Sequence, residues 1–163
     1  MGNMWLGAFS GGLNLFKKTT SNFTLYRHNS SLNSLSNNFV LSLFEDRQKN
    51  IWVGTDGGGI NKFDPKNETF THFKQDKKGV LGKYVLAVTQ DDDNNLWIGT
   101  WGNGMTVMNP LTGKCDYFNK DALGSHKLSG NNVYNLLRGH DGKIWISIFG
   151  GGLDCYDKKN KGK

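Results

Sequence analysis

A tryptophan-centred phrase occurs four times in this chain of 163 residues: MWLGAFSGGLNLFK from Met4, IWVGTDGGGINKFD from Ile51, LWIGTWGNGMTVMN from Leu96 and IWISIFGGGLDCYD from Ile144. The tryptophans, Trp5, Trp52, Trp97 and Trp145, stand 47, 45 and 48 residues apart. That interval is too long for a heptad and marks a supersecondary unit repeated along the chain. Seven positions after each tryptophan comes a glycine, Gly12, Gly59, Gly104 or Gly152, always followed by an apolar residue. Because the tryptophans recur in every copy, their expected place is between neighbouring units.

The second copy shows what one unit contains. FVLSLFED, residues 39–46, is almost continuously apolar and reads as a strand buried on both faces. RQKN turns the chain, IWVGT forms a second strand, DGGG reverses direction where glycine tolerates positive φ, and INKFD alternates as a third strand. After PKNE, FTHFK supplies a fourth strand at 70–74, and a polar link leads to YVLAVTQD, where the cycle restarts. A four-stranded antiparallel meander cannot cover its own apolar faces. Stacked copies of it make a β-propeller. The expected fold is therefore an all-β propeller fragment of about three and a half repeats, near 4–38, 39–83, 84–132 and 133–163. Its first and last blades are incomplete, and the strand cycle yields fourteen strands.

Composition narrows the function classes. The formal charge of +6 would permit an anionic partner, but four lysines lie in the last six residues, and little basic bias remains without them. No nucleic-acid partner is expected. No apolar run approaches eighteen residues, and the N-terminus lacks the basic start and apolar block of a signal peptide, so no membrane contact is expected of this stretch. Cys115 and Cys155 occupy non-equivalent repeat positions and are expected as small buried residues rather than a disulfide or metal site. His28, His72, His126 and His140 show no ligand spacing, and the acidic turn Asp91–Asp93 reads as solvated rather than as a Ca2+ site. No cofactor or metal is implied.

Copies two and three spell D-x-x-x-N-[IL]-W-[VI]-G-T-x-G-x-G-[IM]. This pattern resembles the regulator-propeller repeat that builds the sensor region of hybrid two-component histidine kinases. SLNSLSNNFV and SHKLSGNNVY are similar to the element that opens such repeats. Departures are Ser147 in place of a glycine, Cys115 in place of an aromatic, and a first copy without the Asp-Pro turn. The resemblance implies a periplasmic input domain that detects oligosaccharides or polysaccharide breakdown products. It implies no enzyme activity, and the chain contains no phosphoacceptor helix, nucleotide loop or receiver segment.

Alternating strand direction puts the second-to-third turns and the long links between blades on one face. Loops on a rigid scaffold commonly carry recognition. On this face the position four residues after each tryptophan varies, as Phe9, Asp56, Trp101 and Phe149. The aromatics could stack on sugar rings, with Asp56, His28, Asn29, Asn131 and Asn132 bonding hydroxyls; alternatively, the aromatics cap blade packing. A protein-binding scaffold is the second functional reading. A propeller glycosidase or lyase is the weakest, since a sialidase-like site needs three gathered arginines, and of Arg27, Arg47 and Arg138 the second falls on the opposite face. A closed ring has four to eight blades, so an arc of this length would expose apolar end faces. For the chain by itself the expectation is self-association, most simply a dimer completing a ring of about eight blades, or else instability for want of neighbouring blades.

Overall fold

The computed structural model describes residues 4–8, 10–17, 22–73 and 82–159. They form fourteen strands in four antiparallel sheets, each a meander in chain order. The first blade holds β1 (Met4–Ala8), β2 (Gly12–Lys17) and β3 (Asn22–Tyr26). The second holds β4 (Val40–Glu45), β5 (Ile51–Thr55), β6 (Gly59–Asp64) and β7 (Thr69–Phe73). β8 (Val85–Gln90), β9 (Leu96–Thr100), β10 (Met105–Met108) and β11 (Cys115–Phe118) make the third, and β12 (Val133–Arg138), β13 (Ile144–Ile148) and β14 (Gly152–Tyr156) the fourth. The architecture is the open β-propeller that the repeat pattern predicts, with the same count of strands.

There is no single core; apolar side chains gather between successive sheets. Leu13 of the first blade joins Val40, Ile51, Val53 and Phe63 of the second, with Trp5 packed alongside. Trp52 and Ile60 of the second meet Val85, Val88, Leu96, Ile98 and Met108 of the third. Ala87, Trp97 and Met105 of the third meet Val133, Leu136, Ile144, Ile146 and Ile148 of the fourth. Each blade thus turns a tryptophan face forward onto the back of the next. Trp52 is 0% exposed, and burying roughly 200 Å² of indole at about 25 cal/mol per Å² contributes on the order of 5 kcal/mol before ordering costs.

Burial leaves an indole N–H to satisfy. Trp52 Nε1 donates to Asp46 Oδ2 at 2.8 Å, and Trp97 Nε1 to Asp91 Oδ2 at 3.0 Å. The same carboxylates close the first-to-second turns, accepting from the backbone N–H and side chain of Asn50 and of Asn95. This clasp is what the D-x-x-x-N-[IL]-W spelling encodes. Asp91 is therefore a structural acceptor and not a solvated side chain. In the fourth blade Gly139 stands six residues before Trp145, where no carboxylate is available, and Trp145 is 37% exposed.

The repeated glycines answer two steric demands. A Cβ on Gly54 or Gly99 would lie 2.7 or 2.5 Å from Cγ1 of Val85 or Val133, the first strand residue of the next blade. Gly59 and Gly104 have φ near +74° and donate their N–H to the carbonyls of Lys83 and Asn131, stitching each turn to the link that enters the next blade. Ser147, which departs from the glycine pattern, lies on the forward face of the fourth blade beside Leu137 and Leu153. At the opposite end of the blades, Asp92 Oδ1 accepts from Arg47 at 3.1 Å and Arg138 at 2.6 Å, tying three blades. Desolvation pushes the Asp92 carboxyl up, but hydrogen bonding and charge from Arg138, then Arg47, outweigh it and hold the carboxyl below its ordinary value.

The cysteines depart from expectation. Cys115 is half-buried and Cys155 exposed, and neither is in a disulfide; Cys155 is exposed because it lies on β14, the edge strand of the fourth blade.

Replacing Asp46 with Ala strands a buried indole donor and should cost about 1–3 kcal/mol in urea unfolding. In a Trp52→Phe background the same change should cost clearly less. Equal losses in both backgrounds would show that the indole bond is not the source.

Candidate functional site

The second-to-third turns and the links between blades meet on one end of the arc, through backbone bonds that repeat in the second, third and fourth blades. Asp56 N–H donates to the Phe39 carbonyl at 2.9 Å, Trp101 to Tyr84 at 3.0 Å and Phe149 to Asn132 at 2.9 Å. The position four residues after each repeat tryptophan is thereby fixed against the residue that precedes the first strand of its own blade. Its backbone is committed while its side chain is left to vary. Phe9, the corresponding residue of the first blade, lies outside the described residues.

Trp101 and Phe149, from successive blades, come together with ring centroids 5.3 Å apart at 51°. They remain 42% and 63% exposed. Asp56 is half-buried and forms an antiparallel bridge to Tyr84 of the following blade. Tyr84 was not among the residues singled out from the sequence, although its place directly before Val85 matches those of Phe39 before Val40 and Asn132 before Val133. It is itself 43% exposed.

The polar candidates serve the loops. Asn132 Oδ1 accepts the Gly102 N–H at 2.8 Å, beneath the Trp101 turn, and Asn131 Oδ1 accepts the Lys120 N–H at 2.9 Å. His28 Nδ1 lies 2.7 Å from the Leu35 carbonyl oxygen, a contact that needs the ring proton on that nitrogen, and Asn29 Oδ1 accepts the Ser31 N–H. His28 and Asn29 shape the link from first to second blade; the structure joins them to none of the aromatic pair. What remains for Asn131 and Asn132 is the amide nitrogen.

The aromatic pair forms an open platform. Clefts of about 460, 550 and 700 Å³ lie elsewhere, on the forward face of the fourth blade, below the first-to-second turns, and between the third and fourth blades, and none is lined by Trp101 or Phe149. Nor do the arginines assemble a catalytic constellation, since Arg47 and Arg138 share Asp92 on the opposite face. Among the described residues no group of three His, Cys, Asp or Glu side chains could hold a metal ion, and no helix is long and apolar enough to cross a membrane.

Three stretches, residues 34–57, 79–102 and 127–150, match the family of the two component regulator propeller. Each begins in a link and ends in or at the following second-to-third turn, so it holds the parts that join one blade to the next. Among solved structures, the extracellular domain of a protein classed as a hybrid two component system of B. thetaiotaomicron superposes with TM-score 0.74 at 25% identity, over 94% of this chain and 18% of that one. A second extracellular domain from the same organism gives 0.76 at 23% identity, over 98% and 23%. The chain thus spans about a fifth of the length of these structures. A catalytically inactive virginiamycin B lyase of Staphylococcus aureus shares the fold alone, with TM-score 0.62 at 12% identity over 93% and 50% of the two chains. No curated protein is significantly similar. The chain has a propeller fold similar to that of these extracellular domains, and three of its stretches match the regulator propeller.

If Phe149 is a displayed ring and not part of the packing, Phe149→Ala should change the unfolding free energy by no more than about 0.5 kcal/mol. A loss above about 2 kcal/mol in thermal or urea unfolding would assign it to the core.

Proposed function

We propose that this propeller is a sensory element from the extracellular region of a two-component signalling receptor, and that it binds oligosaccharides or polysaccharide breakdown products without altering them. The observation that carries the reading is a contrast among aromatic residues. Trp52 and Trp97 are buried between blades, whereas Trp101 and Phe149 are displayed together on loops held by backbone bonds. Exposed aromatic faces on a rigid frame lose little conformational freedom on binding and suit the apolar faces of sugar rings. Asp56 and the amide nitrogens of Asn131 and Asn132 supply hydrogen bonds to hydroxyls. The signalling role draws on the extracellular domains that the chain resembles, and it places this segment outside the cytoplasm.

Titration calorimetry against a glycan panel tests the binding. A bound glycan should lose about tenfold in affinity on Trp101→Ala. A panel of candidate proteins run alongside distinguishes the scaffold reading; protein binding without any glycan binding would replace the proposal.

For the 163-residue chain by itself we also propose self-association. Leu137, Trp145 and Leu153 of the fourth blade and Met4 and Leu6 of the first are exposed. They occupy the forward and back positions that meet at each blade junction inside the arc. Two copies could therefore join head to tail into a ring of about eight blades. Light scattering at micromolar concentration should show a dimer or larger species, and a stable, well-folded monomer would end this proposal.

A further inference from the structure

We infer that Tyr84 is a ligand-binding residue and that the ligand is a neutral oligosaccharide; this rests on the sugar-binding reading above. Three backbone bonds within the blades place residues in pairs around the mouth of the arc: Phe39 with Asp56, Tyr84 with Trp101, and Asn132 with Phe149. Two further contacts connect the pairs. Asp56 and Tyr84 are partners in an antiparallel bridge, which sends their side chains to the same side. Trp101 and Phe149 touch ring to ring. The outcome is one row, Asp56, Tyr84, Trp101, Phe149, that crosses from the second blade to the fourth.

A row spanning three blades is longer than one sugar ring, so it engages several linked sugars at once. Tyr84 adds a third exposed ring to the two already paired. The charge of the row selects the class of sugar. Its one charged side chain is Asp56, a carboxylate suited to accept from hydroxyls in charge-assisted bonds. Lys83, the adjoining cation in the chain, is exposed and is not one of the four residues of the row, and its carbonyl accepts the Gly57 and Gly59 N–H groups at 2.9 and 3.1 Å. A uronate laid along the row would set its own carboxylate against Asp56.

The test is calorimetry of the full chain with neutral gluco-, manno- and galacto-tetrasaccharides of α and β linkage and with the matching tetra-uronates. A neutral tetrasaccharide should bind about tenfold more tightly than its uronate, and Asp56→Asn should narrow that gap. Tyr84→Ala should weaken the neutral ligand about tenfold; if that variant fails to fold by circular dichroism, Tyr84→Leu makes the same comparison with the ring removed. Uronates binding as tightly as neutral sugars, or Tyr84 variants binding normally while Trp101→Ala weakens binding, would overturn this inference and leave the sugar-binding reading in place. Binding of no panel member, or binding indifferent to Trp101→Ala, would overturn both.

Discussion

An indole ring pressed between two sheets is the contact on which the rest of this structure depends. No blade can bury its own faces, so stability lives at the junctions, and each internal junction turns on one tryptophan. Three surrounding features exist to make that burial possible. The carboxylate six residues earlier takes the N–H that burial would strand. Glycine two residues later, at Gly54 and Gly99, lets a valine of the next sheet approach to a distance that a methyl group would forbid. Glycine seven residues later turns the chain at positive φ and bonds to the incoming link. The phrase that repeats along the chain is therefore a single junction written out in linear order.

That origin explains what could be read beforehand. Each junction requirement falls within about fifteen residues of one tryptophan, so period, strand cycle and strand count were all legible. Asp46 and Asp91 were visible as part of a pattern, but their role was not, because the indole acceptor is defined only when the turn closes. Asp92 likewise looked like one more solvated carboxylate; its partners Arg47 and Arg138 come from the two flanking blades. The exposure of Cys155 depended on its place on an edge strand rather than on its type.

The candidate site was legible in outline only. Strand alternation and the variable fourth position located the face and picked out Trp101 and Phe149, which the fold brings into contact. His28, Asn29, Asn131 and Asn132 have the right chemistry for sugar hydroxyls, yet short polar side chains in links tend to bond the nearest backbone group. All four bond backbone groups here, from two residues away for Asn29 to 30 for Asn132. Tyr84 escaped notice because its neighbours in space, Asp56 and Trp101, are 28 residues before it and 17 after it in the chain. Only the bridge to Asp56 of the blade before and the backbone bond to Trp101 within its own blade bring them together.

The two ends of the arc are chemically unlike, and the difference follows from where carboxylates are consumed. On the end of the first-to-second turns, Asp46 and Asp91 close turns and hold indoles, Asp92 sits between two guanidinium groups, and Asp93 pairs with Lys158. Changing a side chain there disturbs a turn, a junction or an ion pair. At the other end the position four residues after the tryptophan is held by its backbone N–H, which any residue but proline supplies, so Asp, Trp and Phe can occupy equivalent positions without loss of the bond. A propeller built this way can exchange the side chains at that end while its frame stays the same. This separation of holding from displaying is the physical reason to place recognition on the aromatic end.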